Sequence, residues 1–416
     1  MEPSSMFGRA PPNSKVSRYA LLGPFSYLLT FSGFDLHKSL CGSIGSRGRA
    51  LFSTLIYSLA VILFITRTLL VGNREAPGLT YVWADSNIIF WMSCQSIVSL
   101  VALARWTANG IYTRVYTEYL NVRKFHTTEE EPQVIQKRSM LILGGCLTVA
   151  FVIITVVASV KRSVYRNSYE NSTEPLIHHH FLSRYNIWGV EFVIGVWMAL
   201  CTALAIASFL FMHIAAREEC TKFKDDLTEA DKEGKLVSSL DQFSHRHIAI
   251  LKLVSLITER TNTFVSFSTI CVFIAHINVF YVISAVGAPN AFGTASCVLW
   301  GISTIAMLPF ILSPPGTIQI LLEQSMAILA NNEQLIEHPE KLAIAQLMED
   351  RNRETPTRMA IMKAIKVNAQ TPHLIGILVP LIVAVLSYAR SNRRLFEPIL
   401  SQARVSYTTF TSLLWR

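Results

Sequence analysis

Seven apolar runs constrain this 416-residue sequence more than any other feature. They fall at approximately 51–72, 80–104, 139–160, 187–213, 263–285, 292–313 and 372–389. Each comes close to the roughly 20 residues that a helix needs to cross about 30 Å of hydrocarbon, and the last is the shortest. The runs are continuously apolar rather than alternating, so they predict spanning helices and not a barrel. Only 16% of the residues are charged and the mean hydropathy is +0.37. A soluble domain carries roughly 25% charged residues. The expected fold class is therefore all-α, a polytopic membrane protein with seven transmembrane helices.

The distribution of Lys and Arg predicts the orientation. With the N-terminus in the cytoplasm, 26 of the 37 fall in the inner segments and 10 in the outer ones, with Arg67 inside a span. The positive-inside rule thus places the N-terminus inside and, after seven crossings, the C-terminus outside a plasma membrane. The sequon at Asn171 then lies in an outer loop, as a glycosylation acceptor must. The expected layout has a cytoplasmic segment over 1–50, with "YALLGPFSYLLTFSGF" as a half-buried or interfacial helix. Spans one to four cover 51–213, and a cytoplasmic helical hairpin covers 214–262. Spans five and six cover 263–313, and a second helical cytoplasmic stretch covers 314–371. The seventh span is 372–389, and a basic tail occupies 390–416.

No proline occurs between Pro175 and Pro289, which lets the fourth and fifth spans continue outside the bilayer as long helices broken near "DDLTEADKEGK". Leu240, Phe243, His247, Leu251, Val254, Thr258 and Thr261 recur at helical spacing and predict a buried stripe. A second amphipathic face is expected at Ile320, Gln324, Ala327 and Ile328. Pro309 and Pro380 are candidate helix breaks.

Depth along the spans gathers polar and aromatic residues in the outer half of the bundle. They are Arg67, Tyr81, Trp83, Asp85, Asn87, Trp188, Glu191, His276, Asn278, Tyr281 and Trp300. Ionisable groups within a span usually face the bundle interior or a wet cavity. An apolar pocket with a few placed polar groups suits a small-molecule ligand. The plainer readings are interfacial belt residues for Tyr81, Trp83 and Trp188, snorkelling for Arg67, and internal packing for His276.

Several functions find no support in the residues. "IHHHF" at 177–181 lacks acidic or Cys partners for a metal. The seven cysteines provide no pair in the outer loops for a disulfide. No phosphate-cradling loop, HExxH or nucleophile elbow is present, so neither an enzyme nor a cofactor is expected. The net charge of +9 follows from topology and requires no nucleic-acid partner. A G-protein-coupled receptor would need the opposite orientation, and a transporter would show internal repeats. A non-conducting scaffold fits the layout.

The long hairpin "FSHRHIAILKLVSLITERTNTFVSF", with His247, Leu251, Leu253 and Asn262, resembles the insect-type chemoreceptor superfamily. So does "FSYLLTFSGFDLHKSL" near the N-terminus. That superfamily includes gustatory and odorant receptors and nematode gustatory-receptor-like and serpentine class R proteins. The resemblance implies a homotetramer, or a heteromer with a related subunit, acting as a ligand-gated cation channel in the lipid bilayer. His247, Leu251 and Asn262 would serve assembly, and the seventh span of each subunit would line the pore. The family's seventh span ends in Thr-Tyr, five apolar residues and Gln-Phe. Ser387 and Tyr388 stand for Thr-Tyr here, Arg394 for Gln and Leu395 for Phe, with Ser391 also facing the gate. Arg390, Arg393 and Arg394 depart from that pattern, and positive charge at a pore mouth repels cations.

Overall fold

A computed structural model describes residues 19–32 except 20 and 24, 44–72, 78–125, six positions between 141 and 152, 188–287, and 291–392 except 356, 363 and 369. The chain is an all-α, multi-pass membrane protein. Among the described residues six helices are long and apolar enough to cross a bilayer. The run at 139–160 lies almost wholly outside them, although its six described positions are helical.

Helix α1 spans Phe25–Phe31, α2 Ile44–Gly72, α3 Tyr81–Ala108 and α4 Ile111–Arg123. Helix α5 covers Trp188–Lys232, and α6 covers Leu236–Tyr281 before a single π turn at Val282–Val286. Helix α7 is Ala291–Ala330, α8 is Pro339–Glu354 and α9 is Thr371–Ser391. Between α8 and α9 a short hairpin pairs β1, Ala360–Ile361, with β2, Ile365–Lys366, in antiparallel register.

Helix α6 is the hub, packing on α3, α5, α7 and α9 and, lower down, on α4 and α8. Its 46 residues measure about 69 Å, more than twice the hydrocarbon thickness. The stretch from Arg260 to Tyr281 accounts for about 32 Å of that. Trp106 closes its lower end by donating its indole N–H to the Arg260 carbonyl at 3.1 Å. Tyr281 closes its upper end by donating its hydroxyl to the Leu79 carbonyl at 2.9 Å. Below Arg260, α5, α6 and α7 continue as a helical extension joined by α4 and α8.

The extension begins with a tight reversal. Helix α5 ends at Gly234, whose φ of +67° suits glycine, and the Lys235 amide reaches back to the Ala230 carbonyl at 2.9 Å. That six-to-one bond is the Schellman closure of a helix C-terminus. The stripe from Leu240 through His247 and Leu251 to Thr261 is buried along α6, apart from the half-buried Phe243. Phe223 of α5 is central to the packing there. Its ring meets Phe243 edge-on at 6.1 Å, while His247 stacks over it at 5.9 Å.

Two local expectations change. Helix α7 runs unbroken through Pro309, Pro314 and Pro315, and α9 through Pro380. Flanking helices support the missing bonds, as membrane helices commonly allow. The expected face at Ile320, Gln324 and Ala327 is turned outward instead. Helix α7 enters the extension one step further round, burying Ile318, Leu322, Ser325 and Leu329 at spacings of four, three and four. At the N-terminus, α1 buries Phe25 edge-on against Phe211 at 5.5 Å and leaves Tyr27 and Leu28 outward.

Candidate functional site

The sequence candidates fall into separate local groups. At the upper end Thr80 caps α3 by accepting the Trp83 amide at 3.3 Å. That start places the Trp83 ring edge-on to Tyr281 at 6.3 Å. Leu79, Ala84, Cys297, Val379 and Val383 complete an apolar cluster around them. Asp85 is half-buried one turn into α3 and lies within electrostatic reach of the Cys297 thiol.

Arg67 turns into the bundle instead of snorkelling. Its guanidinium donates to the Ser93 hydroxyl at 3.0 Å and touches the Met198 sulfur at 3.5 Å. Ser93 belongs to a polar seam between the spans. Ser96 bonds Thr202 at 3.1 Å, and the Gln95 amide donates to Ser268 at 3.0 Å. Such pairs join helices where water is absent. The sequence reading did not select Gln95, Ser96 or Ser268. Their signal was small and polar residues inside an apolar run.

His276 bonds Thr304 at 2.8 Å and lies against Phe280, with ring centres 4.6 Å apart. This is internal packing between α6 and α7. Asn278 donates to the Ile274 carbonyl at 2.8 Å, and its side-chain oxygen is buried without a donor among the described residues. Trp300 is half-buried on α7. Trp188 and Glu191 open α5, but their side chains lie outside the described residues, as do Asn171, Arg394 and Leu395. Much of the wall that the third span would supply to an outer pocket lies outside them too.

A crevice lower down is lined by His213, Val254, Thr258, Pro315, Ile318 and Thr357, and it has no room for a water-sized sphere. The described residues contain no group of three or more metal-ligating side chains.

Helix α9 packs on α6 and α7 through few residues. Thr371, Val379 and Val383 are buried, whereas Leu374, Ile377, Leu381, Val385 and Tyr388 form an exposed stripe. Ser387 and Ser391 bond carbonyls of their own helix, at 2.8 and 3.2 Å. Arg390 donates to the Ala285 carbonyl, which fixes the end of α9 to the upper end of α6.

The hairpin before α9 is fastened to α6 by side chains one helical turn apart. Thr258 donates to the Thr357 carbonyl at 3.2 Å, and Asn262 accepts from the Ala360 amide at 2.9 Å. Ser266 donates to the Ala360 carbonyl at 3.1 Å and accepts from the Met362 amide at 3.2 Å. His247, further down the same helix, is buried with neither ring nitrogen bonded among the described residues. This part of α6 lies beyond the bilayer-thick stretch. Burial, followed by the nearby Arg351, holds the imidazole at a pKa of about 4. Leu251 is buried one turn above.

The chain is similar in structure to the insect olfactory receptor OR5 from Machilis hrabei. The TM-score is 0.67 over 90% of this chain and 99% of that one, at 11% identity. The same receptor in complex with eugenol matches with a TM-score of 0.59 over the same shares, at 13% identity. At such identity the likeness is one of fold. No curated protein sequence matches the chain. The family described as Caenorhabditis protein of unknown function, DUF267, matches residues 21–383, from α1 well into α9. The chain belongs to that Caenorhabditis family, DUF267, and carries the fold of an insect olfactory receptor.

Proposed function

We propose that this protein is a chemosensory receptor of the plasma membrane in which several copies, four by analogy of fold, form a ligand-gated ion channel. The N-terminus and the helical extension face the cytoplasm, and α9 of each copy lines a common axis. The single observation behind this reading is the stripe of Leu374, Ile377, Leu381, Val385 and Tyr388. It leaves one side of a spanning helix largely exposed within the described chain. Its spacings of three and four match those of helices packed around a shared seam. The extension supports the same reading, because α8 buries only Ala345 and Met348 within its own chain.

The ligand is a small, largely apolar molecule received in the outer half of the bundle, near Trp83, Asp85, Tyr281 and Trp300. The remaining candidates for that pocket are Arg67, Trp188, Glu191, His276 and Asn278. Eugenol, held by the Machilis receptor, is a first probe.

Imaging of the purified full chain in nanodiscs tests the assembly, with four-fold particles carrying α9 on the axis as the expected result. Excised patches without GTP test gating. A eugenol-evoked current supports a channel, and a response that needs G proteins overturns it.

A further inference from the structure

Resting on the reading that α9 lines the axis, we infer that the permeant ion is an anion. Between Glu354 and Glu397 the sequence carries Arg358, Lys363, Lys366, Arg390, Arg393 and Arg394, and no aspartate or glutamate. Helix α9 occupies the middle of that stretch. Its 21 residues measure about 31 Å, the thickness of the hydrocarbon layer. Along the sequence the basic residues therefore flank both ends of the spanning segment, and no carboxylate within that stretch does.

The groups differ in how much of their charge is available. Arg358 is paired with Glu323 at 3.0 Å and is offset. Lys366 is exposed beside the lower end of α9 and makes no ion pair among the described residues. Arg390 is exposed at the upper end, and its guanidinium donates to the neutral Ala285 carbonyl. That bond orients the side chain without cancelling its charge. Of the acids near the upper end, Asp85 is half-buried on α3 and Glu191 opens α5, whereas α9 packs chiefly on α6 and α7.

Along the exposed stripe stand His373, Leu374, Ile377, Leu381, Val385 and Tyr388, again without a carboxylate. Cation pathways rely on rings of Asp or Glu or on carbonyl oxygens, whereas rings of Arg and Lys serve anions. Symmetry repeats each basic group around the axis. Screening over roughly 8–10 Å confines the effect to the mouths, where Lys366 and Arg390 stand. The permeant species is then a small inorganic anion such as chloride. The cation pathway implied by the family resemblance is replaced by its opposite in charge.

The test uses the full chain with Val385→Ser, which wets the stripe so that no ligand is required, beside the unmodified chain stimulated with eugenol. Diluting external NaCl tenfold with sorbitol moves the reversal potential by up to about 59 mV for a perfectly selective monovalent pathway. A positive displacement is the expected result. A negative displacement overturns the anion inference and leaves the channel reading standing. No conductance above that of control membranes, in either form, overturns both. Lys366→Glu and Arg390→Glu probe the two mouths independently. At least one is expected to lower the anion-to-cation permeability ratio tenfold or more. An unchanged ratio in both overturns the assignment of selectivity to these groups.

Discussion

The side-chain oxygen of Asn262 accepts the backbone amide of Ala360 at 2.9 Å, joining the middle of α6 to the hairpin that leads into α9. Thr258 and Ser266 flank it one turn below and one turn above, each bonded to the same segment. Helix α6 therefore holds the start of α9 through backbone groups, and the hairpin's own sequence can vary while the attachment persists.

Asn262→Ala is expected to destabilise the fold by about 1 kcal/mol, the usual net worth of one hydrogen bond between part-buried groups. Asn262→Asp keeps the acceptor and should cost less. Hydrogen exchange of the 357–366 amides checks the mechanism. In Asn262→Ala those amides should exchange faster, while those of α5 stay protected. Equal acceleration throughout would mean that the variant loosens the whole bundle and that the attachment is not local.

His247 gives the extension a dependence on acid. Its pKa falls from about 6.5 in an unfolded chain to about 4 in the fold. Between those values the unfolded state binds the extra proton. Stability therefore rises with pH across that window and is lost as pH falls from about 6.5 towards 4, by an amount on the order of 2–3 kcal/mol. His247→Phe keeps the stacking over Phe223 and removes two buried unpaired nitrogens, so its stability at pH 7.5 should stay within about 1 kcal/mol of the parent. Thermal unfolding at pH 7.5 and pH 5 should show a smaller acid penalty in the variant. An identical penalty would assign the acid sensitivity to other groups.

Gly234 offers a separate check on the extension. An added Cβ would come no closer than 3.9 Å to a neighbour, the Gln334 amide nitrogen. Gly234→Ala therefore costs only the left-handed backbone, about 1–2 kcal/mol. A midpoint shift in thermal unfolding matching that cost is expected. A shift several times larger would point to a clash, and none at all to a reversal that re-forms in another way.

Much of the fold was legible because the bilayer makes periodicity unnecessary and length sufficient. Runs of apolar residues announce spanning helices whatever their neighbours, and the proline-free interval announced the long reach of α5 and α6. The buried stripe through Leu240, His247 and Leu251 followed from spacing alone. The facing of α7 did not, because Ile318, Ile320, Leu321, Leu322, Met326, Ile328 and Leu329 put apolar residues on several sides of its lower part, and rotation is set by partners. Prolines misled for the same reason, since flanking helices sustain what an isolated helix cannot. The candidate pocket was drawn from depth alone. Depth puts Arg67 and His276 at plausible levels, but not the partners they meet, Ser93 and Met198 for one and Thr304 for the other. The α6 ladder was half visible, because Thr258, Asn262 and Ser266 repeat every four residues while their targets are backbone groups nearly a hundred positions away.

The outward stripe of α9 yields the most direct prediction about assembly. If copies meet along it, cysteines at Leu381 or Val385 approach their counterparts across the axis, whereas one at Val383, buried against α6 and α7, cannot. Oxidation of Leu381→Cys or Val385→Cys in native membranes should give a covalent ladder of multiples of the chain on a denaturing gel, and Val383→Cys should not. The described native cysteines are buried or half-buried in the bundle, and Cys41 and Cys146 lie outside the described residues, so each ladder is read against the unmodified chain after the same treatment. Lipid-facing stripes also leave apolar residues exposed, as along α2 at Leu55 and Ile62, and supply the control. Ile62→Cys should cross-link no more than the parent. If it laddered as strongly as Leu381→Cys, the signal would report random collision, and α9 would be one more helix facing lipid.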